Sequence, residues 1–349
     1  MTPTPISPPA LHPPLEVRWS ATIEAEHIRH RPVTDGAGTL VVAAHDHLLC
    51  LDLGSGKQLW DRPQPHPITE IQACDDGPVI ALGGSDDVEL VAFRWTGEPV
   101  WRTRSGIGTG GDRLRGCGAS LIAIGVPTGK STTKVCQVRD AHTGAITLTF
   151  PCDGDLPDMV DGRFVYSARS DDKGGGGLFL YDPQAKKSRR LIDVGHWIRV
   201  VAEGIAVVDT FDDDNRSSRL IAVDLATGKT LWKDTGGPNL SLAASGGQLA
   251  CAVGVDESHV AMTLRDIRTG KLAWTAKAVE AKFIAPLLAA DCVVGSIALD
   301  RIDIYDRASG ERVQSLAQKS SLVQGGCISK VGLIDVASRT AVCFTATNA

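Results

Sequence analysis

Aromatic side chains are scarce: they make up 5% of 349 residues, with Tyr 3 and Phe 7 beside Trp 7. A core built on many large rings is therefore excluded, and small branched aliphatics must fill it. No sign of charge dominates, since 36 Lys and Arg face 41 Asp and Glu for a formal net charge of -5. That balance gives no electrostatic reason to expect nucleic acid or an anionic membrane as partner. No apolar run reaches the length of a membrane-crossing helix. The start, MTPTPISPPALHPP, carries neither a basic n-region nor an apolar h-region, so a cytoplasmic location is expected. The cysteines are never paired: Cys50, Cys74, Cys117, Cys136, Cys152, Cys251, Cys292, Cys327 and Cys343 stand singly, with no CxxC. A disulfide framework and a thiolate metal site are both disfavoured, and the thiols read as small hydrophobes in a reducing compartment.

What is present is a repeat. A turn of the type Asp-x-x-[Ser/Thr]-Gly followed by a strand carrying Trp recurs as LDLGSGKQLW (51–60), WTGEPVW (95–101), RDAHTGAITL (139–148), YDPQAKKSRR (181–190), VDLATGKTLW (223–232), RDIRTGKLAW (265–274) and YDRASGERVQ (305–314). The positions of the Trp are Trp60, Trp101, Leu148, Arg190, Trp232, Trp274 and Gln314, spaced by 41, 47, 42, 42, 42 and 40 residues, with Trp19 lying 41 upstream of Trp60. Between these marks lie β-branched runs of strand length separated by Gly, Asp and Ser/Thr clusters, without helical periodicity. The Ser/Thr-Gly pair supplies the positive φ that a tight turn demands, and the Asp can bond nearby backbone N–H groups.

Four short strands per repeat describe a propeller blade. After Gln314 only three more strands follow, SLVQGG, KVGLIDV and TAVCFTA, and the missing outer strand is LEVRWSAT (15–22). The sequence thus predicts an all-β, eight-bladed β-propeller of four-stranded blades over residues 15–349 as one domain. The ring is closed by the N-terminal strand, and residues 1–14 form a disordered Pro-rich tail. Closure removes the free sheet edges that invite aggregation.

On these residues the chain resembles the pyrroloquinoline-quinone-type repeat propellers, which share a pattern like [Val/Ile]-x-Ala-Leu-Asp-x-x-Thr-Gly-Lys-x-Leu-Trp; LIAVDLATGKTLWK (220–233) matches it best. The resemblance implies the fold over about residues 15–349 and leaves function open, because similar propellers serve as dehydrogenases, outer-membrane assembly lipoproteins, sensor domains and cytosolic proteins. The dehydrogenase branch has an adjacent-cysteine disulfide under the quinone, a calcium site and export signals, none of which is visible here. No quinone or other cofactor is expected. The assembly-lipoprotein role calls for a lipid-modified N-terminal Cys, whereas Cys50 is the first cysteine.

Several motifs fail on spacing or context. GIGTGG (106–111) links two strands with no helix behind it, and GVPTGKS (125–131) has three residues between glycines where a phosphate loop needs four. FDDDNRSS (211–218) lacks the alternating ligand spacing of a calcium loop and, like SDDKGGGG (170–177), reads as a solvated hairpin. No metal site is expected.

The inner strands, nearest the propeller axis, hold the remaining candidates. Counting five residues back from the Gly or substitute that opens the second strand gives Arg31, Gln72, Arg115, Arg199 and Ser241, so three arginines fall 84 residues apart. Two residues earlier stand Arg29, Glu70, Arg113, Trp197 and Asn239, with Asp158 and Lys282 expected nearby. Such an arginine-lined channel mouth would suit a carboxylate or phosphate. Neutralisation by Glu70, Asp158, water and backbone is the bland alternative. His27, His30 and His196 lie on the same kind of strand and are the acid–base candidates if the protein is an enzyme. Long connections share the face of this mouth. The function expected is a cytoplasmic binding or scaffold module recognising a protein or small anionic ligand, expected to be a monomer that binds neither nucleic acid nor membrane. The alternative is an enzyme or sensor acting on an anionic substrate.

Overall fold

The computed structural model describes residues 8–23, 32–83, 88–108, 114–128, 134–152, 154–155, 157–168, 176–193, 197–211, 218–235, 241–256, 258–281, 284–297, 301–317, 323–329, 332–337 and 340–347. Among them the chain is all-β, in eight antiparallel sheets each built on four strands in sequence order, the blades of an eight-bladed β-propeller. Blades one to seven run from Val33–Thr34 to Arg312–Ala317. The eighth joins the C-terminal strands Val323–Ser329, Gly332–Ala337 and Thr340–Ala346 to the N-terminal strand Leu15–Thr22, the expected closure. The chain divides into two compact units, Val17–Asp158 with Gln324–Phe344, and Met1–Glu16 with Met159–Val323 and Thr345–Ala349.

The repeat does its work at the turns. In Asp224-Leu-Ala-Thr-Gly, Asp224 Oδ1 accepts the Thr227 N–H and hydroxyl, both at 2.8 Å, while the Gly228 N–H donates to the Asp224 carbonyl. Asp52, Asp140, Asp266 and Asp306 repeat this bonding. At Asp224 the Thr227 hydroxyl, then the Thr227 N–H, holds the carboxyl below its ordinary value of 3.8.

Each Trp then ties one blade to the next. Trp232 donates its indole N–H to the Ile267 carbonyl at 2.8 Å, and its ring lies so close to Gly270 that a Cβ there would fall 2.6 Å from it. Gly270 also sits at φ +70°, so the turn needs glycine twice over. Trp19, Trp60, Trp101 and Trp274 make the same bond to Leu53, Trp95, Ala141 and Arg307. In two of the three blades without the Trp, polar groups substitute: Gln314 exchanges two hydrogen bonds with the Leu15 backbone, both 2.6 Å.

In blade four the substitute is Arg189, whose Nη2 donates to the Leu225 and Ala226 carbonyls. Alignment by spacing puts Arg190 at this position. Other outer strands carry a bulge just before the Trp, as between Cys50 and Leu51 of blade one. Blade four lacks it and pairs Leu180 directly with Arg189. The same blade has Lys186 at φ +50° where its relatives have the turn glycine.

The core consists of aliphatic layers between successive blades, such as Val41, Leu48, Ile71, Ile80 and Val91 between blades one and two. All nine cysteines are free and most are buried; burial pushes the Cys50 and Cys292 thiols up to about 12. From Pro8 on, the N-terminal segment is held. Asp291 accepts the Leu11 and His12 N–H groups at 2.8 and 2.6 Å, Pro9 accepts from Ala290, and Leu11 is buried.

Candidate functional site

The first strand of a blade has one edge without a partner inside its own sheet, so its side chains and edge amides decide what can be recognised there. The hairpin registers place the candidates. Cys74 pairs with Gly77, Cys117 with Ser120, Ala202 with Ile205 and Ser245 with Gln248. Two residues before these pairs stand Gln72, Arg115, Val200 and Ala243. Gln72 and Arg115 are thus equivalent, as the counting has it, but Arg199 and Ser241 are not. The difference lies in the turn: Gly77 opens a second strand, whereas Gly204 and Gly246 belong to two-residue turns, which shifts the count. Arg199 instead occupies a bulge, between the pairs Ile198–Val208 and Val200–Val207.

In blades two and three the polar residues close the strand edge. The Glu70 carboxylate, 9% exposed, accepts the Leu114 N–H on both oxygens at 3.0 and 2.9 Å. Gln72 donates to Glu70 Oε1 at 3.2 Å and accepts from the Gly116 N–H at 3.5 Å. The strands approach so closely that a Cβ on Gly116 would lie 1.8 Å from the Ala73 carbonyl. Arg115 forms an ion pair through Nη1 with Asp158, and both side chains are partly exposed.

In blade five, Trp197 opens the first strand and is 39% exposed. The Arg199 guanidinium lies 5.4 Å from its ring centroid, a cation–π distance. Nε and Nη2 of Arg199 both bond Oδ2 of Asp209, Nε at 3.1 Å. Asp209 is 1% exposed and stands opposite Trp197 on the second strand. Sequence reasoning missed Asp209. The available signal was comparison with other blades, where the same place, four residues into the second strand, holds Ala81, Ile124 or Ala252.

His27, Arg29, His30, Arg31, Arg113, His196, Asn239 and Lys282 lie outside the described residues. Described histidines pair with carboxylates: His47 with Asp61 on the neighbouring strand at 2.8 Å, His142 with Asp76 of the preceding blade, and His259 with Asp256 three residues away. The Asp76 bond raises the His142 pKa. Among the described residues no group of three His, Cys, Asp or Glu could hold a metal ion. No two cysteines of the chain are adjacent, unlike the disulfide that the resemblance implies under the quinone of the dehydrogenase branch.

Fold and repeat define an eight-bladed propeller of quinoprotein-like blades. The family model described as outer membrane protein assembly factor BamB matches residues 16–191 and 197–316, and the chain belongs to that PQQ-repeat propeller family. No curated protein matches it. Similar solved structures include BamB from Moraxella catarrhalis, with 14% identity, TM-score 0.67, and 96% of this chain and 98% of that one covered. The computationally designed Ika8 protein shares 16% identity at TM-score 0.69, covering 93% of this chain and 98% of that one. A europium-containing methanol dehydrogenase shares 12% at TM-score 0.65, covering 94% and 85%. At these identities the likeness is one of fold.

Proposed function

We propose that this protein is a non-catalytic binding module of the scaffold type, cytoplasmic, and that it takes up a protein partner through the long connections on one face of its blades. One observation carries the reading: the charged and amide side chains Glu70, Gln72, Arg115 and Arg199 of the first strands have structural partners. Glu70 and Gln72 cap amides of the neighbouring strand, Arg115 is paired with Asp158 and Arg199 with Asp209. Among the described residues the partners of these arginines are carboxylates already paired with them, whereas proton transfer needs an acid or base within hydrogen-bond reach of its target. Membership of a family described by an assembly factor agrees with a scaffold role.

A small anionic ligand is the second reading, favoured by the partly exposed guanidinium groups of Arg115 and Arg199. Thermal melting of the full chain with citrate, inorganic phosphate and ATP separates the two. A ligand at about 100 times its Kd adds about 2.7 kcal/mol. The scaffold reading predicts no shift. A shift that disappears in the Arg115→Ala/Arg199→Ala variant would replace it with the anionic reading.

A further inference from the structure

The outer strand of a blade ends its sheet, so one row of its N–H and C=O groups has no partner inside that sheet. Bulges and charges commonly guard such an edge. In blades one, two, three, five, six and seven a bulge stands near the start of the outer strand, as between the pairs Ala222–Trp232 and Val223–Thr230 of blade five. In blade four it has moved to the far end, between Leu178–Ile192 and Phe179–Arg190. Lys187, Ser188, Arg189 and Arg190 therefore pair with Asp182, Tyr181, Leu180 and Phe179 in unbroken register directly after the turn. From Gln184 to Arg190 every residue is exposed.

That run carries charge of one sign. Lys186, Lys187, Arg189 and Arg190 stand close together, with no acid between Asp182 and Asp193. The two acids at its ends are already paired, Asp182 with Arg163 at 3.6 Å and Asp193 with Arg190 at 2.9 Å. Among the described residues Arg189 bonds carbonyls, those of Leu225 and Ala226, and neither Lys186 nor Lys187 has a carboxylate partner. Lys186 also occupies the left-handed position, φ +50°, that Gly56, Gly144, Gly228, Gly270 and Gly310 hold in other blades. A side chain is strained there, so this cation stands where the turn alone would select glycine.

We propose that the outer strand of blade four, Lys187–Ile192, is a strand-addition site for an extended acidic segment of a partner protein. A strand edge presents N–H donors and C=O acceptors in alternation; another extended backbone matches both, whereas phosphate groups offer acceptors alone. Side chains alternate along the strand. Arg189, and with it Lys187, lies on the face towards blade five, while Ser188, whose hydroxyl meets that of Tyr166, and Arg190 lie on the other. Carboxylates at alternate positions of an incoming strand meet cations on either face. A second copy of this chain does not suit the edge, because pairing edge to edge would set lysine and arginine against their own kind. The charges that keep a copy away select a strand of opposite sign. The inference goes beyond the binding-module reading, which stands on the partnered residues of the first strands and survives if this edge fails.

The test is fluorescence anisotropy of the full chain at about 20 mM salt with a labelled decapeptide of alternating Glu and Thr. The peptide is expected to bind with a Kd below about 1 mM and to weaken about tenfold or more with Lys186→Glu/Lys187→Glu, both exposed positions. An analogue N-methylated at alternate amides keeps the charge but cannot join a ladder, and it should bind about tenfold more weakly or worse. Hydrogen exchange read by mass spectrometry should show protection over residues 184–192 when the peptide is bound. Four outcomes overturn the proposal: no binding of the acidic peptide, equal binding of the N-methylated analogue, binding indifferent to the two lysines, or protection confined to another blade. Tighter binding of decathymidylate than of the peptide, lost in the same variant, would also overturn it, in favour of nucleic acid.

Discussion

The reciprocal need of Trp and Gly can be weighed by substituting two glycines of the same turn type. Gly270 and Gly228 both lie in the left-handed region, at φ +70° and +75°. Alanine at either position carries the backbone strain of an L-residue there, about 1 kcal/mol. At Gly228 little else happens, because the nearest atom to the new Cβ is 3.5 Å away on Leu191. At Gly270 the Cβ would lie 2.6 Å from the Trp232 ring, which is held by its indole bond to Ile267 and cannot simply swing aside. Overpacking of this kind costs a further 1–3 kcal/mol or so, bringing Gly270→Ala to about 2–4 kcal/mol. Equilibrium urea unfolding of the full chain reads both. In a Trp232→Ala background the cost of Gly270→Ala should fall to that of Gly228→Ala, about 1 kcal/mol. Equal costs for the two alanines with Trp232 present would refute the plate-on-glycine account.

Further expectations follow from other contacts. Glu70→Ala strands the buried Leu114 N–H and should cost about 1–3 kcal/mol in urea unfolding, whereas Glu70→Gln, which keeps an acceptor, should cost less than half as much. The turn carboxylates of Asp140, Asp224, Asp266 and Asp306 have folded pKa values depressed below 3.8 by their Thr or Ser partners. Their stabilising contribution is therefore present above that pH and lost as pH falls through the lowered values. Unfolding midpoints should drop below pH 3.8, and an Asp224→Asn variant should show a shallower drop. The Cys50 and Cys292 thiols, pushed up to about 12 by burial, should resist Ellman's reagent at about pH 8 in the folded chain and react once it is unfolded in urea. Asp291→Ala frees two N–H groups of the N-terminal segment and should make residues 8–14 susceptible to limited proteolysis at unchanged circular dichroism.

Blade number, strand count per blade and closure by Leu15–Thr22 were all legible in the sequence, because the Asp turn and the Trp plate recur with a spacing that only stacked equivalent units explain. The places that escaped reading are those where local geometry departs from the repeat. A missing bulge in blade four moves the linking residue from Arg190 to Arg189, since bulges shift facing by one residue without a fixed sequence mark. The arginine series with its 84-residue spacing dissolved for a similar reason: glycine opens a strand in blade two and sits inside the turn in blades five and six. Asp209 was hidden because a single buried carboxylate in GIAVVDTF looks like any strand-end Asp until its register against Trp197 and its bonds to Arg199 are known. Glu70 and Gln72 were placed correctly as polar residues of a first strand, but their partners, backbone amides of the next blade, carry no residue type that a sequence could display.

That Arg115 and Arg199 are held by carboxylates is the claim on which the scaffold reading depends, and a double-mutant cycle between Arg199 and Asp209 tests it most directly. Arg199→Ala leaves a buried charge unpaired and should cost about 3–5 kcal/mol in urea unfolding, and Asp209→Ala should be destabilising as well. The double variant should cost far less than the sum, with a coupling of at least about 1 kcal/mol. Additive costs would mean that the two side chains do not support each other, and would contradict the account.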